Sequence, residues 1–235
     1  MARPALWRDI HDSLKTDIAD GLFGAGDKLP TEAALAARFG VNRHTVRRAL
    51  AELAEAGLVR SRRGAGVFVT ERKIPYPIGK RVRFHQNIAA VGGLPGRRFR
   101  TLETRKPRPR EAEHLALPQG ALVHVCEGVS TVDGQPLVWF RVAFPADRLP
   151  GLLEALRDQG SITRALAVCG VPDYTRARTW MTAEEASATL AADLNVPTGA
   201  ALLRTDAVGV DPAGCPIEYG RSWFVGARVV LSGDF

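Results

Sequence analysis

The sequence predicts an α+β protein of two domains: a helical N-terminal part closed by a short hairpin, and a larger C-terminal part on a mostly antiparallel sheet. Three observations predict it. Apolar residues recur at helical spacing as far as Ala56. Two β-branched runs around a glycine-rich tip follow directly. Beyond Lys80, two pairs of alternating stretches are each joined by a turn sequence and separated by helical segments, the pattern of an α+β domain. The expected boundaries are residues 1–72 for the first domain, 73–80 for a linker carrying two prolines, and 81–235 for the second.

The elements of the first domain follow from residue spacing. Leu6, Ile10, Leu14 and Ile18 recur every four residues with Asp9, Asp12, Lys15 and Asp17 between them, an amphipathic helix ending near Gly21. The run Gly24-Ala25-Gly26-Asp27-Lys28-Leu29-Pro30 is a loop by its glycines and proline. Thr31 is placed to cap a second helix, Glu32 to Phe39, with Leu35 and Phe39 on one face and Gly40 ending it. Asn42 caps a third helix to about Ala56, whose Val46, Ala49, Leu50 and Leu53 form the buried stripe. Leu58–Ser61 and Val67–Thr70 then make a hairpin around Arg62-Arg63-Gly64-Ala65-Gly66.

Two short helices about a glycine-containing turn form a helix-turn-helix, and a basic hairpin behind them is a wing. Arg43, His44 and Arg47 lie off the apolar stripe, at the helix end that enters a major groove. Arginine pairs bidentately with guanine there, while Thr45 and Asn42 reach phosphate. Charge agrees. The chain carries 32 Lys and Arg against 25 Asp and Glu, a net +7. Residues 1–80 hold 14 against 9, and residues 81–235 hold 18 against 16, so the excess is concentrated in the first part. A solvated basic face is the bland alternative that charge alone allows.

Other classes are excluded by pattern. No apolar run approaches membrane-spanning length, and Arg3, Arg8 and Asp9 interrupt the N-terminus, so neither a membrane partner nor a secretory signal is expected. Cys126, Cys169 and Cys215 lie far apart and no histidines are paired. No metal, no cofactor and no disulfide framework is expected, and the cytoplasm is the default compartment.

The segments Leu29-Pro30-Thr31-Glu32, Phe39 to Leu50, Leu53 to Leu58 and Gly64-Ala65-Gly66-Val67-Phe68-Val69 resemble the winged-helix domain of GntR-family transcription regulators over nearly all of residues 5–70. The resemblance implies double-stranded DNA contacts from Arg43, Thr45 and Arg47 and from Gly64 in the wing. Thr31, Asn42, His44, Arg48, Arg62, Arg63 and Gly66 complete the expected interface. Several family members carry a further DNA-contacting arginine after the glutamate of the second helix. Here that position is Ala33.

In the second part, Phe84, Ile88 and Val91 suggest a short helix, and helical segments are expected near Glu111–Leu115, Leu149–Arg157, Ile162–Cys169 and Ala183–Leu194. Leu122–Val132 pairs with Pro136–Phe144 across Asp133-Gly134, and Ala201–Val210 with Ile217–Val225 across Asp211-Pro212-Ala213-Gly214. The pairs form an internal repeat: residues 115–121 match 194–200, Arg141 matches Arg221, and Phe144 matches Phe224. A pseudo-twofold sheet follows. This half resembles the UTRA effector-binding domain of the HutC branch, a fold similar to chorismate lyase. The marks are Leu-Ala-Leu-Pro-Gln-Gly at 115–120, Val-Asp-Gly-Gln-Pro-Leu at 132–137, Ala-Phe-Pro at 143–145, Gly-Ser-Ile-Thr at 160–163, Ala-Asp-Leu-Asn-Val-Pro at 192–197 and Pro-Ile-Glu-Tyr at 216–219. Residues 83–88, Arg-Phe-His-Gln-Asn-Ile, are further similar to members that regulate phosphonate uptake and breakdown.

The resemblance implies a small anionic effector. Ser161 and Thr163 open a helix, with Arg83 at the start of another, and both match phosphate-contacting positions. Positions that hold the sugar in sugar-phosphate binders are here Gly128, Ser130, Phe140, Glu218 and Phe224. Two arginines and one glutamate are therefore absent, and an aminoalkylphosphonate fits better, with Glu218 as ammonium partner and Asn87 beside the site. Arg141 and Arg221 alternate onto the face of Trp139 and Trp223 and are expected in ion pairs or at a dimer contact. The expected protein is a homodimeric regulator on a two-fold operator, a repressor relieved by its effector. Activation, a HutC-type role in amino-sugar phosphate or histidine breakdown, and a lyase-like enzyme are the competing readings. His85, His114 and His124 lack an evident Ser or Cys partner for the last.

Overall fold

The computed structural model describes residues 6–24, 26–70 and 73–233. Arg3 and Ala25, used above, lie outside these, as does Arg72, the last residue of the expected first domain. The chain divides into two compact units, Met1–Lys73 and Ile74–Phe235.

The first unit follows the sequence closely. Helices α1 (Leu6–Ala19), α2 (Glu32–Phe39) and α3 (Arg43–Glu55) precede strands β1 (Val59–Arg62) and β2 (Gly66–Val69). Thr31 caps α2 by accepting from the Ala34 N–H at 3.2 Å, and Asn42 caps α3 by accepting from the Thr45 N–H at 2.8 Å. Gly40 ends α2 in the left-handed conformation, φ 65°, which only glycine adopts without strain. Ile10, Leu14, Leu35, Val46, Leu50 and Leu53 share one core with Val59 and Val69. Burying that stripe is what holds three helices too short to persist alone.

The second unit is a six-stranded antiparallel sheet with helices on both faces. Its elements run β3 (Ile74–Pro77), α4 (Phe84–Ala90), β4 (Pro95–Arg105), α5 (Pro109–His114), β5 (Val123–Val132), β6 (Gln135–Pro145), α6 (Leu152–Gln159), α7 (Ile162–Val168), β7 (Thr175–Glu185), α8 (Ala188–Leu194), β8 (Ala201–Val210), β9 (Pro216–Val225) and β10 (Val229–Ser232). Strand order is β4-β5-β6-β9-β8-β7. Arg141 stands opposite Arg221 and Trp139 opposite Trp223 at the central β6–β9 pair, so the matched arginines of the repeat meet at the pseudo-twofold axis. Phe140, Val142 and Phe144 pack under α6 and α7, and Val138 and Phe224 under α4 and β3. Trp139 and Trp223 pack on the other face under α8.

Two expectations change, and two edge strands are added. Residues 74–77 of the expected linker form β3, which pairs in parallel with β10. Its prolines leave the alternate N–H groups to bond: Ile74 donates to Arg228 O and Ile78 to Ser232 O. Ala183–Glu185, expected as helix, belong to β7, because pairing with β8 overrides their helical propensity. The edge strands β4 and β7 were not delimited by pattern at all. No helix among the described residues is long and apolar enough to cross a membrane.

Candidate nucleic-acid interface and ligand cavity

In the first unit, the capped start of α3 projects a basic edge. Asn42, Arg43, His44, Arg47 and Arg48 are exposed and Thr45 is half-buried. Arg43 and Arg47, four residues apart, lie on one side of the helix. Arg43 makes no ion pair among the described residues. Arg47 does: its Nε and Nη2 donate to Glu32 at 3.3 and 2.9 Å, tying α3 to α2. That hydrogen bond holds the Glu32 carboxyl below the usual carboxylate range. Arg48 turns toward α1, its guanidinium 4.6 Å from the Trp7 ring centre. Asn42 spends its side-chain oxygen on both the N–H and the hydroxyl of Thr45. Thr31 is exposed at the start of α2, next to exposed Ala33.

The wing tip is built by glycine. Gly64 has φ 76° and Gly66 φ 112°, and Arg62, Arg63, Gly64 and Gly66 are all exposed. Arg62 lies 4.8 Å from the Phe68 ring centre. Lys28, which sequence reasoning passed over as loop, bridges to Phe68 and lies so close to Gly66 that a Cβ there would meet its Cε at 2.8 Å. Only chain reversal brings Lys28 to the wing, so no local signal marks it.

The second unit holds a cavity of about 70 Å³ between the sheet, α4, α7 and β3. Of the residues expected at an effector, Ser130, Phe140, Thr163, Glu218 and Phe224 line it. Arg83, Asn87 and Ser161 do not. Arg83 is spent elsewhere: its Nη2 donates to Asp173 at 3.2 Å and to Tyr174 O at 2.8 Å, and its guanidinium sits 3.7 Å from the Tyr174 ring centre. Asn87 donates to Pro77 O at 3.2 Å. Ser161 is 4% exposed and caps the seven-residue α7 through Arg164 N–H.

Sequence reasoning missed Arg97, Arg176, His85 and Ser222, which the fold brings to the same cavity. Arg97 on β4 stands opposite Ser130 and donates to its hydroxyl at 3.2 Å. Glu218 is 7% exposed. Burial pushes its pKa up, opposed by Arg176, Arg83 and Arg97. Burial, followed by Arg97 and Arg164, pushes His85 down to about 4, so its ring is neutral at pH 7 and offers a hydrogen bond rather than charge. The Cys126 thiol is pushed up to about 12 by burial, which leaves it unreactive. Arg141 and Arg221 lie away from the cavity, paired with Glu127 and, at 2.7 Å, with Asp206. Among the described residues no group of three His, Cys, Asp or Glu could hold a metal ion.

Known proteins share this arrangement. Residues 6–69 match the family described as bacterial regulatory proteins, gntR family, and residues 90–229 match the UTRA domain. An uncharacterized HTH-type transcriptional regulator of Rhizobium meliloti is 39% identical over 97% of this chain and 93% of its own. The HTH-type transcriptional repressor PhnF of Mycolicibacterium smegmatis is 30% identical over 88% of this chain and 84% of its own. The crystal structure of PhnF from Mycobacterium smegmatis aligns with a TM-score of 0.63 and 28% identity, covering 96% of this chain and 98% of that one.

Proposed function

We propose, since this chain belongs to the GntR family of bacterial transcriptional regulators and carries a UTRA domain, that it is a cytoplasmic repressor released from its operator by a small anionic effector. The observation that carries the reading is the exposed basic edge at the start of α3, with Arg43 free of any carboxylate among the described residues and a wing of Arg62 and Arg63 behind it. Free N–H groups and the positive end of the helix dipole favour phosphate there, and guanidinium groups read guanine.

Arg43, His44 and Arg47 approach base edges. Thr31, Thr45, Gly64, Gly66 and the wing arginines meet the backbone. Asn42 and Arg48 act by fixing the helix, one as its cap and the other against Trp7. A homodimer would present two such edges to a two-fold operator. Repression is supported by the relative named as a repressor.

The effector enters the cavity of the second unit and binds the two DNA-binding states unequally, as any ligand that shifts their balance must. Phe140, Phe224, Ser130, Thr163 and Glu218 surround it. The sequence likeness over residues 83–88 extends this to genes for phosphonate uptake and breakdown. No turnover is assigned to the cavity.

A gel-shift titration of the full chain on its gene's own upstream region tests the reading. Specific binding is expected, falling by on the order of 10³-fold between about 50 and 200 mM salt if six phosphates are engaged. Equal binding to unrelated duplex would refute it.

A further inference from the structure

The basic edge of the first unit carries a carboxylate where attraction to DNA alone calls for none. Glu32 is the first residue of α2, fixed behind the Thr31 cap. Its Oε1 and Oε2 accept from Nε and Nη2 of Arg47 on α3, at 3.3 and 2.9 Å. Arg43 and His44 also act on this carboxylate at longer range. A negative charge on an edge that meets a polyanion lowers affinity for every duplex, whatever its sequence. Tying α2 to α3 does not account for it. Leu35 of α2 and Val46, Leu50 and Leu53 of α3 already share one buried core, and an exposed ion pair adds little to such a core.

The pairing leaves half of the guanidinium open. An arginine carries five N–H groups in one plane. Glu32 takes the side of the fork, one proton from Nε and one from Nη2. Both Nη1 protons and the second Nη2 proton remain at the end of the side chain, the edge that pairs bidentately with O6 and N7 of guanine. Arg47 is 61% exposed, so that edge is open to a duplex. An unheld arginine reaches phosphate as well as bases and gives up its rotamers on either. Held by Glu32, Arg47 has already given up that freedom, and its charge toward phosphate is offset by its partner.

We propose, resting on the DNA-binding reading above, that Glu32 is a positioning residue for base readout, staying on Arg47 in the operator complex and presenting the open edge of its guanidinium to one guanine. Arg47 then supplies sequence preference. Attraction to any duplex comes from cations that no carboxylate holds among the described residues, Arg62 and Arg63 of the wing included.

Gel-shift titrations of the full chain test this on the duplex it selects from its own upstream region, on copies with one base pair changed at a time, and on an unrelated duplex. Arg47→Ala is expected to lose preference at one position by about tenfold or more. Glu32→Gln is expected to lose preference at that same position by a similar factor and to keep the others. On unrelated duplex Glu32→Gln is expected to bind more tightly than wild type, with a salt slope steeper by about 0.9, because Arg47 is then free to take one phosphate. A carboxylate that only joined two helices would produce neither change.

Full preference at that position in Glu32→Gln overturns the proposal, as does weakening spread equally over all positions, or an Arg47→Ala protein that relaxes none. Thermal unfolding checks each variant. If Glu32→Gln does not fold, Arg47→Lys decides: it keeps a charge for Glu32 but has no planar fork. It is expected to lose the position with an unchanged slope on unrelated duplex, and full preference there overturns the proposal. A wild-type chain that selects no sequence overturns the reading beneath, whereas a selective wild type matched by Glu32→Gln overturns this inference alone.

Discussion

Gly128→Ala tests how closely the edge strand β4 is bound to the cavity. Gly128 pairs with Phe99 where β4 slips register between Phe99 and Thr101. A Cβ at Gly128 would stand 2.2 Å from Arg98 O, 3.0 Å from Phe99 Cα and 3.1 Å from Arg98 C, whereas real Cβ contacts essentially never fall under 3.0 Å. All three obstacles are backbone, so no rotamer relieves them. The strand must withdraw until 2.2 Å becomes at least 3.0 Å, stretching the ladder on which Arg97 rides two residues away. Overpacking of this kind costs about 1–3 kcal/mol, and a unit of this size loses about 2–4 °C in Tm per kcal/mol. A Tm lowered by about 2–12 °C is expected by differential scanning calorimetry. Gly79→Ala is the control, since its Cβ would meet nothing within 4 Å. An unchanged Tm for Gly128→Ala, or an equal drop for Gly79→Ala, would refute the close approach of β4.

Two further outcomes are expected. Arg43→Ala should weaken operator binding by about tenfold or more and relax preference at one base position, because a bidentate guanine contact carries about 1–3 kcal/mol of discrimination; uniform weakening across sequences would assign Arg43 to phosphate instead. Glu111 is buried, which opposes its ionisation, but hydrogen bonds from Arg105 at 2.7 and 2.8 Å and from Arg108 N–H at 2.7 Å outweigh burial and hold its pKa below the ordinary glutamate value. A depressed folded pKa adds stability above the unfolded pKa that is lost as pH falls through the folded one. Urea unfolding should therefore show Glu111→Gln less stable than wild type near pH 7, the gap closing as pH falls below about 4; a gap independent of pH would contradict this.

Much of the first unit is legible because its determinants are local. The four-residue spacing of Leu6, Ile10, Leu14 and Ile18 sets the α1 stripe, of which Ile10, Leu14 and Ile18 are buried. Thr31 and Asn42 each bond the N–H three residues on. In the second unit Asp133 and Gly134 take φ 50° and 82°, the left-handed pair a two-residue hairpin requires. The repeat is legible for the same reason, and its Arg141 and Arg221 meet at the centre of the sheet.

The edges were less legible. Pro95–Arg105 and Thr175–Glu185 bury little on either side, so neither shows clean alternation, and each becomes a strand only through a ladder to a strand found elsewhere in the chain. Within the expected linker, β3 pairs with a segment about 150 residues away, a contact that no window of sequence contains.

The sequence by itself determined the kind of protein: capped helices, a basic edge, glycine turns and a twice-repeated hairpin, all written in the spacing of neighbouring residues. It also supplied the arginines without distinguishing them. Only the tertiary structure decided which are spent and which are free. Arg81 meets Asp173, Arg148 meets Asp211 and Arg100 meets Asp193 across 63 to 93 residues of chain, while Arg97 and Arg176 face the cavity. Charge pairing is decided by distance in space, and a chain states distance only once it has folded.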